Sequence, residues 1–232
     1  MNTAQLEARQ VSKIFGVLPV LRCIDLRVNR GEGALIVGRN GSGKSTLMRI
    51  LAGLSRPSSG QALLFGEPAH SLGPQQRCRI SLVSHRSFLY PRLTARENLE
   101  FYARLYRVTD YQYVVEKLLD RVGLGSFADE PVFAFSRGME QRLTIARSMM
   151  TEPEVLVMDE PFAALDAEGI DIAAELVRDA LQRGCAVVMT AHDPHQLRHL
   201  AFISYSLENG RLVMAHFGSD SEGRKPRPAA AG

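Results

Sequence analysis

The stretch GALIVGRNGSGKSTLMRILAGL, residues 33–54, decides how this chain is built. An apolar run, GALIVG at 33–38, stops at a glycine-rich loop, and STLMRILAGL at 45–54 resumes with helical periodicity, so the stretch reads as strand, loop and helix. Inside it, GRNGSGKST at 38–46 fits the phosphate-binding pattern G-x-x-x-x-G-K-[ST]. The candidate nucleotide-binding residues are therefore Gly38, Arg39, Asn40, Gly41, Ser42, Gly43, Lys44, Ser45 and Thr46. Glycine lets the backbone wrap until its N–H groups, with the helix N-terminus behind them, hold phosphate oxygens. Lys44 adds a point charge at the β and γ positions, and the Ser45 hydroxyl is a candidate Mg2+ ligand.

A second stretch gives the loop something to work with. VLVMDEP at 155–161 is a strand-like run that ends in two carboxylates, a poor place for charge unless something needs it. Asp159, at the end of that strand, can reach Mg2+ through a water, and Glu160 can polarise a water toward a γ-phosphate. VLVMD and AVVMT (186–190) are continuous and apolar, as expected of parallel strands buried on both faces. Further strands are expected at 61–65, 79–83 and 203–207, and residues 4–30 alternate short apolar stretches that read as paired strands.

Between about 86 and 150 the strand signal gives way to helices. TARENLEFYARLYR opens on Thr94 with Glu97 three residues on, a capping box ahead of an apolar stripe. YQYVVEKLLDRVG is a second helix stopped by Gly123, and a third begins near Ser136, an N-capping serine. These helices are expected to form a subdomain inserted in an α/β chain rather than a crossover. The tail from 218 to 232, rich in Pro, Gly and charge, has nothing to bury and is expected to be disordered.

Composition narrows the classes. The 232 residues carry 28 Lys plus Arg against 25 Asp plus Glu, so the net charge of +3 supplies no basic block that would track a nucleic-acid backbone. There is no run of about 18 apolar residues to span a bilayer. MNTAQLEARQ resembles neither a signal nor a transit peptide, so the chain is expected to stay where it is made. Cys23, Cys78 and Cys185 are widely separated and form no CxxC pair, which fits unpaired thiols in a reducing compartment.

Four elements in this order and spacing, GRNGSGKST, FSRGMEQ (135–141), VLVMDEP and AHD (191–193), resemble the nucleotide-binding domain of an ATP-binding cassette (ABC) transporter over about residues 5–215. The resemblance implies an α/β P-loop NTPase fold with a mostly parallel central sheet, an N-terminal antiparallel β subdomain and an inserted helical subdomain, within an ATP-binding domain at 4–217. It implies ATP and Mg2+ as ligands. It also implies that Ser136 and the N–H of Gly138 contact the γ-phosphate of an ATP held by a second nucleotide-binding subunit, with Asp166 ending a loop that crosses to that subunit. His192 corresponds to a switch histidine at the γ-phosphate, and Phe15 to the aromatic that stacks on adenine.

The chain departs from the family pattern at several positions. Arg137 and Met139 stand where Gly and Gln are usual, Ala163 where Ser is frequent, and VSHRSFLYP places His85 where a Gln normally reaches the Mg2+. An imidazole reaches less far than that amide, which counts against a metal role for His85. ISLVSHRSFLYPRLTARENLEFYARLY and FSRGMEQRLTIARSMM are similar to the ATPase subunit of heme exporters of cytochrome c maturation, while exporters of drugs, polysaccharides or lipids share the S-x-G-M form of signature. His192, His195 and His199 read as a switch residue plus a helix surface rather than a ligand set. The resemblance implies partners on separate chains: a membrane permease and a second cassette, expected to be a homodimer, at the cytoplasmic face of the inner membrane. A soluble ABC protein of translation or DNA repair would carry two cassettes or a long coiled-coil insertion, and a GTPase switch would carry an NKxD motif. The sequence has none of these.

Overall fold

The computed structural model describes residues 4–191, 197 and 200–215. Two sheets carry the chain. In the first, β1 (Leu6–Phe15) and β2 (Leu18–Val28) form a hairpin, and β4 (Ser59–Leu64) and β5 (Glu67–Pro68) extend it in the order β2-β1-β4-β5, antiparallel throughout. The second sheet takes β3 (Gly33–Val37), β6 (Ile80–Val83), β7 (Val155–Asp159), β8 (Ala186–Ala191), β9 (Phe202–Glu208) and β10 (Arg211–Met214). Its order is β10-β9-β3-β8-β7-β6, with β10 antiparallel to β9 and every other pairing parallel.

The continuous apolar runs behave as their composition dictates. Every residue of β3 and β7 is buried, and successive side chains go to opposite faces. Ala34, Ile36, Val155, Val157, Ala186 and Val188 join one hydrophobic cluster with the antiparallel sheet and α1 (Lys44–Leu51). Leu35, Val37, Leu156, Met158, Val187 and Met189 join another with the helices of the opposite face.

Those helices are α3 (Ala95–Leu105), α4 (Tyr111–Arg121), α5 (Arg137–Met149) and α6 (Ala167–Gln182); α2 (Pro74–Arg77) is a single turn before β6. The capping box stands as read. Thr94 Oγ1 accepts from the Glu97 N–H at 3.1 Å, and the Glu97 carboxylate accepts from the Thr94 N–H at 2.9 Å. The helical stretch differs from expectation in one respect. α3 and α4 pack on one another and on α5, but α5 also packs against β6 and α6 and shares the cluster on the sheet. It therefore acts as a crossover back to β7, because Leu143, Ile145, Ala146 and Met149 turn an apolar stripe inward. α6 and β10 lie outside the expected elements. Ala and Gly dilute the periodicity of α6, and β10 is a short edge strand with three of its four residues exposed. The tail from 218 falls outside the described residues.

A buried asparagine fixes the helical block to the loop after β6. Asn98 is wholly buried on α3; its Oδ1 accepts from the Tyr90 N–H at 2.7 Å, and its Nδ2 donates to the carbonyls of Tyr90 (3.0 Å) and Thr94 (2.9 Å). Replacing Asn98 by Ala leaves both backbone groups of Tyr90 without these partners. The variant should lose about 2–4 kcal/mol of stability, read as a lower urea midpoint.

Candidate functional site

The glycine-rich loop leaves β3 and enters α1 as the sequence requires. Gly43 caps the helix with φ +104, and a Cβ there would sit 3.0–3.3 Å from Val20 and Leu21, so glycine is needed for conformation and for space. At Gly38 a Cβ would lie 2.8 Å from both the Leu207 carbonyl and Ser42 Oγ. That hydroxyl is buried with no hydrogen-bond partner. Lys44 is 5% exposed; its ammonium donates to the carbonyls of Gly38 (2.7 Å) and Arg39 (3.3 Å) and lies 3.4 Å from Glu160 Oε1.

The two carboxylates sit at the C-terminal end of β7, where open parallel sheets present their ligands. Thr190 on β8, the register partner of Asp159, fixes both. Its hydroxyl donates to Asp159 Oδ1 at 2.8 Å and accepts from the Glu160 N–H at 2.9 Å. Glu160 has φ +53, a left-handed conformation that a non-glycine residue holds only when its surroundings insist. The Thr190 bond is one such restraint.

Two clefts meet at this point. The first, about 540 Å3, is lined by Val20, Asn40, Gly41, Gly43, Lys44, Ser45, Thr46, His85 and Glu160. The second, about 350 Å3, adds Asp159, Arg137, Glu140, Gln141, Ala163 and Ala164, and shares His85 and Glu160 with the first. His85 Nε2 is 3.9 Å from Asp159 Oδ2. The loop residues Gly38, Arg39 and Ser42 line a third cleft toward the β9–β10 hairpin. The structure thus brings Lys44, Ser45, Thr46, His85, Asp159 and Glu160 around two adjoining clefts that hold an ammonium, two hydroxyls, an imidazole and two carboxylates.

Other sequence candidates lie elsewhere. Ser136 and Asp166 are helix N-caps: Ser136 Oγ accepts from the Met139 N–H at 3.2 Å, and Asp166 Oδ1 from the Gly169 N–H at 2.9 Å. Neither residue, nor Gly138, lines the cleft of the phosphate loop. Gly138 packs under the Ala164 carbonyl, 3.3 Å from where a Cβ would be. Phe15, 54% exposed with the Lys13 ammonium 5.1 Å from its ring centre, ends β1 outside that cleft. His192, His195 and His199 fall outside the described residues. Sequence reasoning missed Thr190 and Gln141, whose Nε2 donates to the Pro161 carbonyl at 2.8 Å and ties α5 to the loop after Glu160. Neither carries a signal in the sequence, because the pairing of Thr190 with Asp159 follows from strand order and that of Gln141 with Pro161 from the packing of α5.

Known proteins resemble this chain in sequence and in fold. The sequence pattern of the ABC transporter family matches residues 21–163. Nod factor export ATP-binding protein I of Cupriavidus metallidurans is 35% identical over 213 residues, covering 91% of this chain and 70% of that one. The cytochrome c biogenesis ATP-binding export protein CcmA of Escherichia coli K12 is 35% identical over 189 residues, covering 82% and 89%. Among solved structures, the ATP-binding subunit of an ABC transporter superposes with a TM-score of 0.83 at 28% identity, over 90% of this chain and 88% of that one. A dimeric ATP-binding cassette in a post-hydrolysis state with ADP and Pi gives 0.80 at 26%, over 89% and 96%.

The Thr190 bridge is testable. Thr190→Val keeps the side-chain shape and removes both bonds, so it should cost about 1–3 kcal/mol in urea unfolding, whereas Thr190→Ser should retain most of the stability.

Proposed function

Because the chain belongs to the ABC transporter family as one of its ATP-binding subunits, we propose that it works from the cytoplasmic face of the inner membrane, powering a separate permease that exports heme for cytochrome c maturation. The chain is an ABC-type ATP hydrolase. The observation that carries the functional reading is the convergence of Lys44 and Glu160, 3.4 Å apart across the cleft of the phosphate loop, in a chain whose own Ser136 and Gly138 lie off that cleft.

In this reading Phe15, exposed at the end of its hairpin, stacks on adenine, and the loop N–H groups of residues 38–46 hold the phosphates. Lys44 exchanges its loop-carbonyl partners for β- and γ-phosphate oxygens. The buried Ser42 hydroxyl is a further polar group available in that loop. Glu160, held by Thr190 and aligned toward the cleft, takes a proton from the attacking water, and His192 contacts the γ-phosphate. The donor set fits Mg2+: the Ser45 hydroxyl and the Asp159 carboxylate would hold it, and when bound it neutralises phosphate charge. Ser136, Gly138 and Asp166 act on the ATP of a second copy, a reading supported by their absence from the lining of their own chain's loop cleft.

Heme export rests on similarity to CcmA, of which 89% is covered, and on the sequence around His85. Export of another cargo, a drug, lipid or polysaccharide, is the second reading, favoured by equal identity to the Nod factor export protein. A groove of about 290 Å3 beside α3, with Leu54, Phe88, Tyr102 and Tyr106 on its walls, supports docking of a permease segment. Arg147 is buried in it with Nε unpartnered, and burial pulls its pKa below the usual guanidinium range. Among the described residues no helix is long and apolar enough to cross a membrane, consistent with a permease on another chain.

Glu160→Gln should keep ATP binding while hydrolysis falls roughly 10²-fold or more, with ATP and Mg2+ trapping a dimer in size-exclusion chromatography. For the shared site, mixing Ser136→Arg and Lys44→Ala chains should restore activity, because one composite site then carries both lesions and the other neither. No recovery from variants that still associate rejects it. For cargo, deleting the chain in its host should abolish covalent heme attachment to c-type cytochromes. Unchanged attachment would turn the reading to another cargo.

A further inference from the structure

We propose that the cavity beneath the α3–α4 loop binds a soluble amphipathic anion, one phosphate or carboxylate head joined to an apolar body, at a site separate from the nucleotide. The inference goes beyond the ATP-binding reading and does not depend on it.

Position supplies the first argument. The cavity, about 540 Å3, opens where the α3–α4 loop, α4, the end of α5 and α6 come together, and its size is that of a small-molecule site. Thr151 and Glu152 on its wall precede β7, whereas Asp159 and Glu160 stand at the other end of that strand. At about 3.3 Å per residue, β7 puts roughly 16 Å between the two ends. No lining residue is shared with the clefts at the phosphate loop.

The lining supplies the second, because it is divided in character. Leu118, Met149, Met150 and Leu176 are buried members of the hydrophobic cluster under the helical block, and they give the cavity an apolar floor. The flexible methionines let that floor adapt to what lies on it. Around it stand Arg107, Lys117, Arg121 and Arg183 against one carboxylate, Glu152. Arg121 is committed to Asp179 of α6 at 2.6 Å. The side chains of Arg107, Lys117 and Arg183 are exposed and make no hydrogen bond or ion pair among the described residues.

A hollow lined by one sign of charge concentrates ions of the other sign. An uncharged apolar molecule would leave those cations unmet, and a bare anion would leave the floor wet. A molecule with both parts satisfies both, with its head at the rim and its body on the methionines.

Cys78 makes the site readable, since its exposed thiol lines the cavity. Cys23, exposed on β2, is an internal control, and Cys185 stays silent because burial pushes its thiol pKa up to about 12. The test labels the full chain with N-ethylmaleimide, reads each cysteine by mass spectrometry, and uses octyl phosphate below its micelle concentration as the probe. Octyl phosphate should slow labelling of Cys78 and leave Cys23 unchanged. In calorimetry, octanol and inorganic phosphate should each bind about tenfold more weakly or worse. Reversing two exposed rim charges together, Lys117→Glu with Arg183→Glu, should weaken octyl phosphate by about tenfold at an unchanged urea midpoint. Arg211→Glu on β10 should not weaken it. Equal binding of octanol overturns the role of the cations, and equal binding of inorganic phosphate overturns that of the floor; either removes the amphipathic site. Unchanged labelling of Cys78, or full affinity in the doubly reversed chain, also overturns the proposal. So does loss of octyl phosphate binding in Lys44→Ala, which would place the probe at the phosphate loop. Protection of Cys78 by phosphatidylglycerol vesicles but not by the soluble probe would assign the face to a membrane surface instead.

Discussion

The hydroxyl of Thr190 is the joint on which this site turns. It is buried between two parallel strands, gives its proton to Asp159 and takes the N–H of Glu160, so a single group fixes a buried carboxylate and the strained residue beside it. Without a donor, Asp159 would have to carry its charge at 5% exposure with one oxygen unmet. Without an acceptor, Glu160 would lack a restraint on a backbone conformation that leans its carboxylate toward Lys44. Side chains from β7, β8 and the phosphate loop therefore meet because one threonine stands in register with one aspartate.

Much of this was legible in the sequence, and what was legible shares a cause. GALIVG, VLVMD and AVVMT are short, apolar and uninterrupted, and only buried parallel strands use such runs economically. The loop 38–46 is readable because a turn from strand to helix with positive φ at Gly41 and Gly43 demands glycine at those positions. Thr94 with Glu97 and the N-capping Ser136 were readable because caps are local chemistry.

What escaped reading is non-local. Thr190 looks like the last residue of an apolar strand until strand order places it beside Asp159. Asn98 looks like a polar interruption in an apolar helix until the loop at Tyr90 folds over it. Gln141 and the crossover role of α5 depend on which element lies on the far side, and α6 hides its stripe among alanines. For His85 the sequence showed an unusual residue type, while its approach to Asp159 follows only from the pairing of β6 with β7.

The six-stranded sheet is a wall with a different interior on each side. Alternate residues of β3, β7 and β8 belong to two hydrophobic clusters, one under the phosphate loop and the antiparallel sheet, the other under the helical block. Volume can therefore be exchanged among Leu156, Met158, Val187 and Met189 and the helices over them without repacking Val155, Val157 or Val188. Substitutions that reshape the helical side can thus accumulate apart from those on the side of the loop 38–46, because the pleat of a strand keeps the two sets of side chains apart.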